Sequence, residues 1–187
     1  EPDNGVLFTA HTLYRIGSEG MELKNEVTNN SGLETIARVG QSFRLPAAFD
    51  TLTWYGKGPW ETYADRKDAA LIGLYTSSVA EQHVPFAVPC ECGGHEDTRF
   101  AALSDGTHTV QIVGSDDFHF SALPYSIAEY RKATYEEELP EQTTGTWLIL
   151  DVAHAGLGGD TGWTKNIHPE YRVCKGRYSY TFRFHFA

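Results

Sequence analysis

Positive charge is scarce in this chain: 15 lysines and arginines stand against 25 aspartates and glutamates, for a formal net charge of −10. The few cations are thinly spread, so no basic stripe is available to hold phosphates, and nucleic acid and anionic membranes are excluded as partners. Long apolar runs are missing too. None approaches the roughly 20 residues that cross a bilayer, and the opening Glu1-Pro2-Asp3-Asn4-Gly5 has neither the basic start nor the apolar stretch of a signal peptide. A soluble chain is expected, with its compartment left open because the numbering can begin inside a longer protein.

Cysteine is reduced to three, an odd number, and Cys90 and Cys92 are too close in an extended chain to bridge comfortably. No disulfide framework is expected, which fits a reducing compartment. Cys90, Cys92 and His95 have the composition of a zinc turn but not its spacing, since zinc knuckles place two residues between their cysteines and a second pair nearby. A turn carrying two small thiols is the expectation, and no metal site is assigned. Repeats, linkers and low-complexity tracts are also absent, so residues 1–187, with 41% hydrophobic content, read as a single domain able to bury its own core.

What is present is period-two alternation. Tyr178, Tyr180, Phe182, Phe184 and Phe186 alternate with Arg177, Ser179, Thr181, Arg183 and His185, the pattern of a strand with one wet face. Met21, Leu23, Asn25 and Val27 predict a second strand and Ala37, Val39, Gln41 and Phe43 a third, with Asn29-Asn30-Ser31-Gly32 read as the turn of a hairpin between them. Residues 107–113 and 146–152, each preceded by glycine, predict two more. One helix is expected over residues 127–134, where Ser126 and Glu129 form a capping box and Ile127 and Tyr130 share a face. No βαβ rhythm intervenes. The fold class is therefore all-β, an antiparallel β-sandwich with one short helix.

Two segments carry the chemistry. Residues 54–67 combine Trp54, Trp60 and Tyr63 with turn-forming Gly56, Gly58 and Pro59 and with the charges of Glu61, Asp65 and Arg66. This is the make-up of a loop that faces a sugar or another domain, although strand-end aromatics of this kind more often fill a core. Asp65 and Arg66 are expected in ion pairs. The second segment, Gly158-Gly159-Asp160-Thr161-Gly162-Trp163, presents an indole on a flexible support; read alone, Trp163 is either a sugar platform or an anchor packed on the core. Glu91, His95 and Arg99 lie on what reads as a polar turn, and His154 and His168 have no partner evident in the sequence.

Six boxes occur in a family's order: Tyr55-Gly56-Lys57-Gly58-Pro59; Glu61-Thr62-Tyr63-Ala64-Asp65-Arg66; Val84-Pro85-Phe86; the run from Phe118 to Tyr125; Gly158 to Trp163; and His168-Pro169-Glu170-Tyr171-Arg172. From about Leu13 to Phe186 the chain resembles the C-terminal domain of bacterial glycoside hydrolase family 2 β-galactosidases. It departs from the family pattern at Thr62 and Cys92, where asparagine is usual, and at Ala64, where proline is. The resemblance implies a supersandwich like that of galactose mutarotase, placed last in a five-domain retaining β-galactosidase. This chain would be the later part of that domain, with an exposed edge where early strands are absent.

The resemblance also implies where the chemistry sits. Both catalytic glutamates belong to a TIM-barrel domain outside these residues, so no catalytic residue is assigned in this chain. Trp163 is expected at the mouth of the pocket, stacking on a β-galactoside such as lactose, with Glu91, His95 and Arg99 as further substrate-facing candidates. Magnesium and sodium are implied for the whole enzyme, with no cofactor in this chain. The implied partners are the catalytic barrel and further copies of the enzyme in a homo-oligomer, in a bacterial cytoplasm or periplasm. The alternative is a carbohydrate-binding or mutarotase-like sandwich acting alone.

Overall fold

The computed structural model of the protein describes residues 7–143, 145–158 and 166–187. Among them are nine strands: β1 (Phe8–Gly17), β2 (Gly20–Asn29), β3 (Arg38–Leu45), β4 (Thr51–Gly58), β5 (Leu71–Ser78), β6 (Gly94–Ser104), β7 (Thr109–Leu123), β8 (Thr146–His154) and β9 (Gly176–Phe186). The helix α1 runs Ile127–Lys132 and carries the expected capping box, Ser126 accepting the Glu129 N–H while the Glu129 side chain accepts the Ser126 N–H. All pairings between the strands are antiparallel.

The long strand β7 organises the sandwich. On one side it pairs with β6, which continues through β4 to β5. On the other it divides its length: residues 110–114 pair with β9, which leads to β2 and the edge strand β1, whereas residues 119–123 pair with β8, which leads to β3. The two wings face each other, with Phe43 of β3 edge-on to Phe184 of β9 at 5.1 Å and Gln41 donating to Asn25 of β2 at 2.7 Å. Between them lies a core that includes Leu23, Leu52, Leu103, Ile112, Phe120, Leu148, Leu150 and Phe182, all almost fully buried. A smaller cluster of Cys92, Leu123, Tyr130 and Leu139 seats α1.

The alternation in β9 places Tyr180, Phe182 and Phe184 in the core and leaves Tyr178 half-buried, whereas Phe186, at the strand end, is exposed. The hairpin expected between β2 and β3 is corrected: β2 pairs with β1 and β9, and β3 with β8. Asn29 is the cause. Its buried carboxamide accepts from the Ser31 N–H and hydroxyl, and the next residue donates its N–H to Leu7, which leads the chain out of the sheet instead of reversing it. Residues 54–58, the start of the segment read as a loop, instead belong to β4, with Leu52 and Trp54 turned inward. Gly56 serves close approach there, since a Cβ would lie 2.9 Å from Thr98 Cα.

Candidate functional site

The loop after β4 grips the base of the glycine-rich segment. Asp65 accepts N–H bonds from Leu157 at 3.0 Å and Gly158 at 2.7 Å, and a Cβ on Gly156 would come within 2.6 Å of the same carboxylate. Arg66 pairs with Glu61 and lies over the Tyr63 ring, while the second Glu61 oxygen accepts the Gly93 N–H at 2.8 Å. Trp54 and Tyr63 are core residues, whereas Trp60 is 58% exposed and borders a recess with Glu61, Asp65, Arg66 and Lys67. Trp163 and Asp160 fall in residues 159–165, outside the described residues.

Beneath this loop the strand ends assemble a charged cluster. Arg38 opens β3 opposite His154, and Asp151 stands across from both Gly40 of β3 and His119 of β7. A bulge in the β3–β8 ladder skips Val152, bringing Asp151 and His154 to bear on the same guanidinium where a regular strand would part them. Arg38 pairs with Glu91, lies 3.4 Å from Asp151, and donates to His154 Nε2 at 3.0 Å. The His119 and His154 rings stack at 4.5 Å, and Glu96, from a bulged stretch of β6, accepts from His119 Nδ1 at 2.9 Å. Gly94 is required here, since a Cβ would sit 2.4 Å from the His119 ring.

Burial and charge set the protonation states. Burial pushes the Glu91 carboxyl up, but His154 and the Arg38 guanidinium beside it outweigh that and hold it at about 2. Asp151 has no exposed surface, and burial, against the pull of Arg38, raises it to about 6. Burial likewise raises Glu96 to about 7 in spite of Lys67, and holds His119 neutral, far below the usual imidazole range. The cluster thus contains two carboxylic groups that take up protons readily, an ionised Glu91 and a fixed cation, and it pins the Glu91 loop to the sheet.

Of the substrate-facing candidates, Glu91 belongs to this cluster, and the other two do not. His95 is not on a polar turn but wholly buried in β6, 4.2 Å from the Trp54 ring, with Nδ1 at 3.2 Å from the Lys57 carbonyl and Nε2 at 2.5 Å from the Gln82 side-chain amide. Arg99 is an exposed partner of Asp117 at 3.3 Å and covers the Tyr55 ring. The zinc-like run is dispersed: Cys90 is exposed, Cys92 is buried against Tyr130 at 3.7 Å, and His95 faces the core. Arg38, His119 and Asp151 were not singled out in the sequence, and His154, read as lacking an evident partner, has several here. Residues 118–123 and 148–151 are buried on both strand faces, which covers His119 and Asp151 with a second layer.

Burial lowers the His95 ring to about 3, and this makes the fold acid-sensitive. An unfolded histidine takes its proton near 6.5, so the stability His95 allows is intact above that pH and is lost as pH falls from about 6.5 towards 3. His95→Gln is expected to reduce the stability lost between pH 6.5 and 5 by about 2 kcal/mol, read from urea midpoints at both values. An unchanged drop would show that another group governs the acid limb.

The magnesium and sodium implied by the resemblance are not matched by the side-chain cluster found among the described residues. Among the described residues the grouping with ligand geometry is Glu91, His119 and His154, a nitrogen-rich set, whereas both ions demand oxygen.

The comparisons agree with one another. A β-galactosidase from Priestia megaterium is 35% identical over 175 residues, 93% of this chain; one from Vibrio cholerae is 38% identical over 164 residues, 88% of the chain; and β-galactosidase 2 of Enterobacter cloacae is 36% identical over 178 residues, 95% of the chain. The match takes up only 16%, 15% and 17% of those proteins, so the chain spans about a sixth of the length of these relatives. A solved galactose mutarotase-like protein from Lactobacillus casei aligns with 96% of this chain and 63% of its own at 10% identity and a TM-score of 0.41, too slight a likeness to carry an inference. The family model described as beta galactosidase small chain matches residues 2–184, nearly the whole length, and with relatives above 30% identity on every side the chain belongs to the β-galactosidase small-chain family.

Proposed function

We propose that this chain is the accessory C-terminal domain of a retaining β-galactosidase, lining the entrance through which terminal β-D-galactosides such as lactose reach two catalytic glutamates on a barrel domain. The observation that carries the reading is the family match over residues 2–184 together with relatives that bear the name β-galactosidase and are about six times longer. The Asp65 clamp supports it, because it fixes the start of the segment that bears Trp163. An indole there supplies a flat apolar face for sugar C–H groups at small entropic cost. Retention needs two carboxyl groups about 5 Å apart, and these are proposed to lie outside this chain.

Two measurements test the reading. The purified chain should leave a chromogenic β-galactoside intact; turnover abolished by changing one of its own carboxylates would overturn the assignment. In the enzyme that contains this domain, Trp163→Ala should raise KM with little change in kcat, a loss of about 1–3 kcal/mol, and Trp163→Leu should recover little of it. A wild-type KM in both variants would make Trp163 a core anchor instead.

A further inference from the structure

The geometry points to a divalent transition-metal site, suited best to zinc, formed by His119, His154 and Glu91. One ligand atom of each lies within 4.8 Å of the others. The hydrogen bonds around the two rings fix the tautomers a metal needs. His154 Nδ1 lies 2.7 Å from the Ala155 carbonyl, which can only accept, and His119 Nδ1 lies 2.9 Å from Glu96, which accepts when ionised, so with Glu96 ionised each neutral ring carries its proton on Nδ1 and keeps the Nε2 lone pair. A carboxylate or carbonyl behind each imidazole is the arrangement that orients histidine towards zinc. His119 Nε2 is completely buried and has no hydrogen-bond partner, a cost the fold carries without return unless something accepts that lone pair.

Access and charge fit as well. A recess lined by Glu96, Asp97, Asp117, His119 and His154 borders both histidines and gathers three carboxylates beside them. A water would complete the tetrahedron. The Arg38 guanidinium presently stands beside Glu91 and His154 Nε2, where a metal would be, and it has somewhere else to go. Arg38 Nη1 and both oxygens of Asp151 lack hydrogen-bond partners although they lie 3.4 Å apart, so the guanidinium can close on Asp151 as the metal takes Glu91 and His154. Bound there, the ion would join the loop before β6 to β7 and β8.

The test uses the protein with Cys90→Ser and Cys174→Ser, which removes the two exposed thiols as rival ligands. After chelator treatment it is titrated with zinc by calorimetry and with cobalt by visible absorption. The expected result is one ion per chain, a tetrahedral cobalt spectrum, no competition from magnesium, and a loss of affinity of at least about 100-fold in His119→Gln or His154→Gln. Circular dichroism of the metal-free variants controls for folding. Imidazole ¹⁵N spectra of the unsubstituted histidines need no such control: zinc should shift Nε2 of His119 and His154 alone. Absence of binding, an undiminished affinity in both variants, or shifts confined to other histidines would overturn the site.

Discussion

Arg38→Leu is expected to cost about 3–5 kcal/mol of folding stability, measured in chelator at neutral pH. The substitution removes the guanidinium 3.4 Å from Asp151, a carboxylate with no exposed surface, and takes the same cation away from Glu91. Leucine fills part of the volume, so the deficit reports charge more than packing. The pair itself contributes little relative to an apolar substitute, and for that reason the triple variant Arg38→Leu, Glu91→Gln, Asp151→Asn should recover more than half the loss. A single-variant cost below about 1 kcal/mol would mean that water already solvates the cluster.

Trp54→Ala should cost a comparable 3–5 kcal/mol by a different route. The indole is 1% exposed and sits between Tyr75 at 5.3 Å, His95 at 4.2 Å and Phe120 at 6.3 Å, joining β4, β5, β6 and β7 through one ring. Its N–H donates to the Lys57 carbonyl at 3.0 Å, a bond that Trp54→Phe would remove while keeping most of the volume. The phenylalanine variant should therefore fall well short of the alanine cost, with denaturant midpoints giving both numbers. Equal losses in the two variants would assign the effect to the hydrogen bond.

These two residues also show how far the sequence can be read. Trp54 stood out as an aromatic in a glycine-rich stretch, and its neighbours Gly56 and Gly58 suggested a turn. In the structure those glycines permit a tight approach of β4 to β6 and to the Tyr75 ring, which no single segment can reveal because the partner strand begins at Gly94. The β9 alternation and the Ser126–Glu129 box were legible because each is a local pattern whose physics closes within a few residues. The β2–β3 hairpin failed for the opposite reason: a turn composition constrains the reversal, but the choice of partner is made across the whole sheet. The Arg38 cluster was illegible for a third reason. Its members come from four strands and a loop, and two of them meet only because a bulge skips Val152.

The pairing of β2 with β9 joins Met21 to Phe184, almost the two ends of the described chain. During synthesis, β1 and β2 leave the ribosome early and find each other at once, but the ribbon they make has no second neighbour until the last strand has emerged. Leu13, Tyr14 and Ile16 remain exposed on that ribbon in the structure, so an adhesive flap persists from the emergence of β2 until that of β9. Chaperone demand would thus fall on β1 and β2 while their cover depends on β9, synthesised well over a hundred residues later.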